Sequence, residues 1–130
     1  MKLVLETDSR IHTVRSYRVG EIIIGEQRLT APFIVSPAQL IADWQVESLR
    51  SLNLAQLQPL LALQPRIVLL GSPGSNEFAP ASLRRTLEAR GIALECMELG
   101  AACRTYNVLA QEGRLVAAGF IPSPADPGAG

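Results

Sequence analysis

Arg66-Ile67-Val68-Leu69-Leu70-Gly71-Ser72-Pro73-Gly74-Ser75-Asn76 decides the fold class. An apolar, β-branched run ends at a cluster of small residues and turn formers, which is the pattern of a buried strand entering a loop. Downstream, Pro80 fits the first turn of a helix running to Arg90, with Leu83 and Leu87 inward and Gly91 as its stop. Residues 92–97 return as a strand. Residues 100–112 form a second helix, with Ala102, Tyr106 and Leu109 on one face and Gly113 as its stop. Residues 115–121 are the last strand. Alternation of this β-α-β-α-β kind predicts an α/β domain, a mainly parallel or mixed sheet with helices against its faces.

Upstream the pattern is weaker. Asn53 is a candidate N-cap for a helix over residues 54–63, with Leu54, Leu57 and Leu61 on one face. Pro59 inside that pattern predicts a kink or two short turns. Residues 33–36 read as a short buried strand between Pro32 and Pro37, and residues 40–44 as a strand or a helical turn. Residues 21–24 and 27–30 are strands joined at Gly25-Glu26, a hairpin turn with Gly first. Residues 11–19 alternate with no clean apolar face, which predicts an exposed or edge strand. Residues 1–10 read as a partly ordered lead-in. The Pro/Gly-rich stretch 122–130 reads as a disordered tail behind a single domain of residues 1–121.

The 130 residues suit one domain. Lys and Arg total 12, Asp and Glu total 12, and the formal net charge is zero. A nucleic-acid-binding domain needs a basic excess to neutralise phosphates, so no nucleic-acid partner is expected. A polybasic membrane-surface role is excluded on the same ground. No apolar run approaches the ~20 residues of a membrane span. The stretch Met1-Lys2-Leu3-Val4-Leu5-Glu6 breaks off short of the ~7–15 apolar residues of a secretion signal. A cytoplasmic location is therefore expected, with Cys96 and Cys103 as free thiols. Two cysteines outside a Cys-x-x-Cys spacing and the single His12 supply no metal centre, and nothing implies a cofactor.

Candidate site residues are few. Gly71, Ser72, Gly74 and Ser75 follow a strand and precede a helix, where backbone N–H groups approach anions in open α/β sheets. Pro73 removes one donor, and neither GxxxxGK[ST] nor GxGxxG is present, so an ordinary connection also fits. Cys103, beside Arg104 near a helix start, is the only plausible nucleophile. No base partners it, since His12 lies on a distant strand, and a small, half-buried core cysteine is the favoured reading. Arg104, Asn107 and Gln111 share a helical stripe that suits an anion-seeking face. Tyr106 reads as a core aromatic with a tethered hydroxyl, and Asn107 as a brace for a neighbouring loop. Trp44 is either core or a partner contact. Glu95 and Glu98 need only a solvated role.

The run Ala102-Cys103-Arg104-Thr105-Tyr106-Asn107-Val108-Leu109, followed by Glu112-Gly113-Arg114 and Val116-Ala117-Ala118, resembles a known family. It is the small domain family of unknown function that includes mitochondrial complex I assembly factor 3 and the adipogenesis-associated domain protein. Met97, the strand 67–70 with Gly71, the segment Leu57, Pro59, Leu60 and Leu61, Trp44 and Pro32 extend the resemblance over roughly residues 11–121. It implies a three-layer α/β domain: a mixed sheet of about five strands, mostly parallel with one antiparallel strand, helices on both faces, and an N-terminal β-hairpin region. It implies no reaction, cofactor or catalytic residue.

The chain departs from the family pattern twice. Pro73 stands where a second glycine is usual, and Leu99 where Thr is frequent before the last helix, which removes a capping hydroxyl. The expected function is a non-enzymatic protein-interaction or assembly factor, monomeric or weakly dimeric, with Arg104, Thr105, Tyr106, Asn107 and Trp44 as candidate contacts. The alternative is a small-molecule or anion binder, or an enzyme, with its site between loop 71–75 and the Arg104 helix start.

Overall fold

A computed structural model describes residues 2–5, 10–74 and 77–124. The N-terminal part is a four-stranded antiparallel sheet in the order β1 (Leu3–Val4), β2 (Val14–Arg18), β3 (Glu21–Ile24) and β4 (Gln27–Leu29). The hairpin turn forms at Gly25-Glu26, where Gly25 takes φ +58°, a value that favours glycine. Leu3–Val4, expected as a loose lead-in, pairs with Tyr17 and Ser16. That pairing makes β2 an interior strand rather than an edge. A bulge between Val14 and Ser16 explains why no clean alternation shows in the sequence. Val14, Ser16 and Tyr17 are all buried, and Arg15 and Arg18 are exposed. Glu21 is also buried in this sheet, against Arg28 at 2.5 Å and Arg18 at 3.6 Å. The Arg28 hydrogen bond holds its carboxyl below the ordinary value.

The second sheet has five strands in the order β6-β5-β9-β7-β8. They are β5 (Phe33–Val35), β6 (Leu40–Ile41), β7 (Ile67–Ser72), β8 (Ala93–Glu98) and β9 (Val116–Phe120). β7 pairs parallel with both β8 and β9, while β5 runs antiparallel to both β9 and β6. One strand is thus antiparallel to the other four, as the family resemblance implied.

The helices lie on opposite faces. α1 (Leu54–Leu61) and α2 (Ala81–Ala89) bury Leu57, Leu60, Leu83 and Leu87 with Val68, Leu70, Leu94 and Ala117. α3 (Leu99–Gln111) buries Ala102, Cys103, Tyr106 and Ala110 between Leu69, Ala118 and Phe120 on one side and Val14, Tyr17 and Ile22 on the other. The period-2 alternation of β7 sends Leu69 to one core and Val68 and Leu70 to the other.

Local rules explain most helix ends. Asn53 caps α1 in a capping box with Gln56. Pro59 lies inside one eight-residue helix rather than between two turns. Its missing N–H removes one bond near the C-terminal end, where the helix needs few more. Pro80 is the N-cap of α2, immediately before its first turn. Glu98 caps α3, its carboxylate accepting from the N–H groups of Gly100 and Ala101. The capping group that Leu99 does not supply thus comes from the preceding residue, and Glu98 is more than a solvated charge.

Candidate functional site

The most distinctive run of the sequence, 104–107, sits on α3 where the helix crosses beneath β2. Tyr106 is fully buried, edge-on to Phe120, and its hydroxyl donates to the backbone carbonyl of His12 at 2.6 Å. Burial pushes its phenol upward from the ordinary value. Asn107 is 5% exposed; its Nδ2 donates to Val14 O at 2.8 Å and its Oδ1 accepts from Val14 N at 2.7 Å. It therefore leaves the polar stripe expected with Arg104 and Gln111 and turns into the core. Arg104 is exposed and donates from Nη1 to Tyr17 Oη at 2.6 Å. Thr105 is half-buried. The His12 strand, expected to be distant, is brought against α3 through its main chain.

Cys103 is fully buried. Burial, and secondarily the Glu98 carboxylate, push its thiol well upward, and Arg104 opposes this only in part. Cys103, the nucleophile candidate of the alternative reading, is therefore a core thiol, because desolvation outweighs the neighbouring cation. Cys96 is half-buried, its Sγ accepts from Ala79 N, and its thiol is also raised by burial.

The loop expected to face Arg104 is divided by the sheet. A Cβ on Gly71 would stand 2.6 Å from Ala102 Cβ, so Gly71 is needed for α3 to approach β7 and leaves no gap there. Ser72 points to the opposite face, between residues 47–49 and 121–124. Gly74 adopts φ +117°, and Ser75 lies outside the described residues. Between Gly71 and α3, where the alternative reading set a ligand, Ala102 and Phe120 are packed against the strand. Trp44 is buried as well: its Nε1 donates to Gln56 O at 2.8 Å and its ring covers Gly119. It is core, not a surface contact.

One feature escaped the sequence reading. At the carboxyl end of β5 and the amino ends of β7 and β9, three connections enclose a groove of about 280 Å³. Ile11, Pro37, Leu63, Pro65, Leu115 and Val116 provide its apolar walls, and Arg114 stands at its side. Leu115 is 60% exposed. Gln64 on the rim holds φ +57°, an uncommon conformation for a residue with a Cβ. The Pro, Gly and Leu residues of these connections are visible in the sequence, but their convergence depends on the order β5-β9-β7. Among the described residues, no group of three or more His, Cys, Asp or Glu side chains gathers as a metal centre. None of their helices is long and apolar enough to cross a membrane.

The whole arrangement has known counterparts. The solution structure of a Xanthomonas campestris protein superposes with a TM-score of 0.80 at 35% identity, covering 95% of this chain and 96% of that one. NADH dehydrogenase (ubiquinone) 1 alpha subcomplex assembly factor 3 of Xenopus tropicalis is 32% identical over 129 residues, 95% of this chain and 70% of its own length. Its Bos taurus counterpart is 30% identical over 113 residues, 85% of this chain and 61% of its own length. The chain thus spans only 61–70% of these two assembly-factor relatives. Residues 14–121 match the model of a protein family of unknown function (DUF498/DUF598), and the chain belongs to that family.

Proposed function

We propose that this protein is a non-enzymatic assembly or accessory factor that acts by holding a protein partner. The observation that carries the reading is the likeness, over 95% of the chain, to a protein named as an assembly factor. The use of residues 104–107 supports it. Tyr106 and Asn107 are engaged in joining α3 to the N-terminal sheet, and both thiols are shifted away from the reactive thiolate. Two free cysteines suit a reducing compartment such as the cytoplasm.

The amino-edge groove is the docking surface this reading favours. Its volume lies just below the ~300–1,000 Å³ of small-molecule sites and suits one or two apolar side chains. Arg114 beside it favours a partner with a carboxylate next to those side chains. Arg104, exposed on α3, is a second candidate contact.

The test is native affinity capture from the host with wild-type, Leu115→Glu and Arg104→Ala baits, followed by cross-link mapping. A stoichiometric protein that cross-links beside residues 113–116 and is lost with Leu115→Glu supports the proposal. Retention of that protein by both folded variants overturns the assigned surface. A bound small molecule without any protein would favour the ligand-binding alternative instead.

A further inference from the structure

At the carboxyl ends of β7 and β9, opposite the groove, lies a small crevice with an unusual chemistry. β7 leads from Ser72 toward α2 on one face. β9 leads through Ile121 to Pro122, whose carbonyl accepts from Gly20 N at 2.8 Å, toward the N-terminal sheet on the other. Two neighbouring parallel strands whose exits diverge leave a gap at their carboxyl ends, the place where open α/β sheets bind ligands. Here the gap is a void of about 10 Å³, bordered by Glu47, Ser48, Ser72, Glu77 and Ser123.

Two of these groups lack a protein partner. Ser72 is 4% exposed and its buried Oγ makes no hydrogen bond; nor does the buried Oε2 of Glu77. Leaving buried polar groups unpaired costs about 1–3 kcal/mol each, so such groups mark a place where something else completes the shell. The lining selects what that is. Among the described residues it holds two carboxylates and three hydroxyls, and no Lys, Arg or His. Such a lining disfavours anions. A void of one water-sized sphere excludes organic molecules. An all-oxygen, net negative lining suits hard cations.

We propose that the crevice at the carboxyl ends of β7 and β9 binds one hard divalent cation of the Ca²⁺/Mg²⁺ class, with Glu77 and Ser72 as inner ligands. The ion links residues 47–48, 72–73, 77 and 121–124, which no hydrogen bond from Ser72 Oγ or Glu77 Oε2 joins. With two carboxylates, the affinity falls among weak oxygen sites, Kd ~10⁻⁴–10⁻³ M.

Titration calorimetry on the full chain with CaCl₂, MgCl₂ and MnCl₂ tests this, with folding of each variant checked by circular dichroism. The expected result is one saturable site for at least one of these ions. Glu77→Gln weakens it tenfold or more and Ser72→Ala several-fold, while Glu26→Gln, at the exposed hairpin tip, leaves it unchanged. Absence of saturable binding overturns the proposal, as does equal weakening by all three variants. So does unchanged affinity in a folded Ser72→Ala protein, which remains decisive should Glu77→Gln fail to fold. A high-resolution structure with an ordered water alone at Ser72, at saturating ion, overturns it equally.

Discussion

The side-chain amide of Asn107 pairs with both main-chain groups of Val14, 93 positions earlier, accepting from its N–H and donating to its carbonyl. An amide side chain here takes the place of a neighbouring strand. It does so beside the bulge at Val14/Ser16, where the regular ladder of β2 is interrupted. At the preceding position of the helix, Tyr106 donates one hydrogen bond from its hydroxyl to the carbonyl of His12. The N-terminal sheet is thereby fastened to α3 by directional bonds as well as by apolar contact.

Asn107→Ala is expected to leave a buried donor and a buried acceptor unpaired, at a cost of about 1–3 kcal/mol each. Asn107→Asp keeps the acceptor but turns a carboxylate toward the Val14 carbonyl, and should destabilise as well. Tyr106→Phe removes one bond and should cost about 1 kcal/mol. Urea denaturation measures all three, and a Tyr106→Phe change larger than Asn107→Ala would contradict the arrangement.

Gly119 and Trp44 are matched in shape. A Cβ at position 119 would lie 2.7 Å from Trp44 Cη2 and Cζ3, and 3.2 Å from Leu70 Cδ2. Gly119→Ala should therefore destabilise by ~1–3 kcal/mol, the usual range for overpacking. In a Trp44→Phe background the penalty should shrink, since the clashing atoms are those of the larger ring. A double-mutant cycle measures this coupling, and strictly additive changes would refute it.

The thiols should react in the order of their exposure. Alkylation near neutral pH is expected to modify half-buried Cys96 slowly, and Cys103 only after denaturant opens the core. Mass spectrometry of the labelled peptides reads the order. Faster labelling of Cys103 than of Cys96 in the native protein would restore Cys103 as a candidate nucleophile.

Much of the architecture is written locally. The strands 67–72, 93–98 and 116–120, the Asn53 cap and the Gly25 turn follow from periodicity, capping and turn chemistry acting within a few residues. The hairpin region and the β-α-β-α-β half were legible for that reason. Leu3–Val4 and the central place of β2 were not. A strand's neighbours are set by pairing at a distance, and a bulge erases the alternation that would announce a buried face.

The chain by itself determined most of the segments that become strands and helices, Leu3–Val4 excepted, and singled out residues 104–107 through their resemblance to the family. Only the tertiary structure decided what those residues do. Asn107 turns inward because α3 crosses under β2 and offers it two unpaired backbone groups. Cys103 is buried because the same crossing removes it from water. The groove at the amino ends of β7 and β9 and the acidic crevice at their carboxyl ends arise only once the order β6-β5-β9-β7-β8 gathers connections far apart in sequence. Side-chain chemistry is a local property, whereas burial, partners and void space are set by the whole assembly of elements.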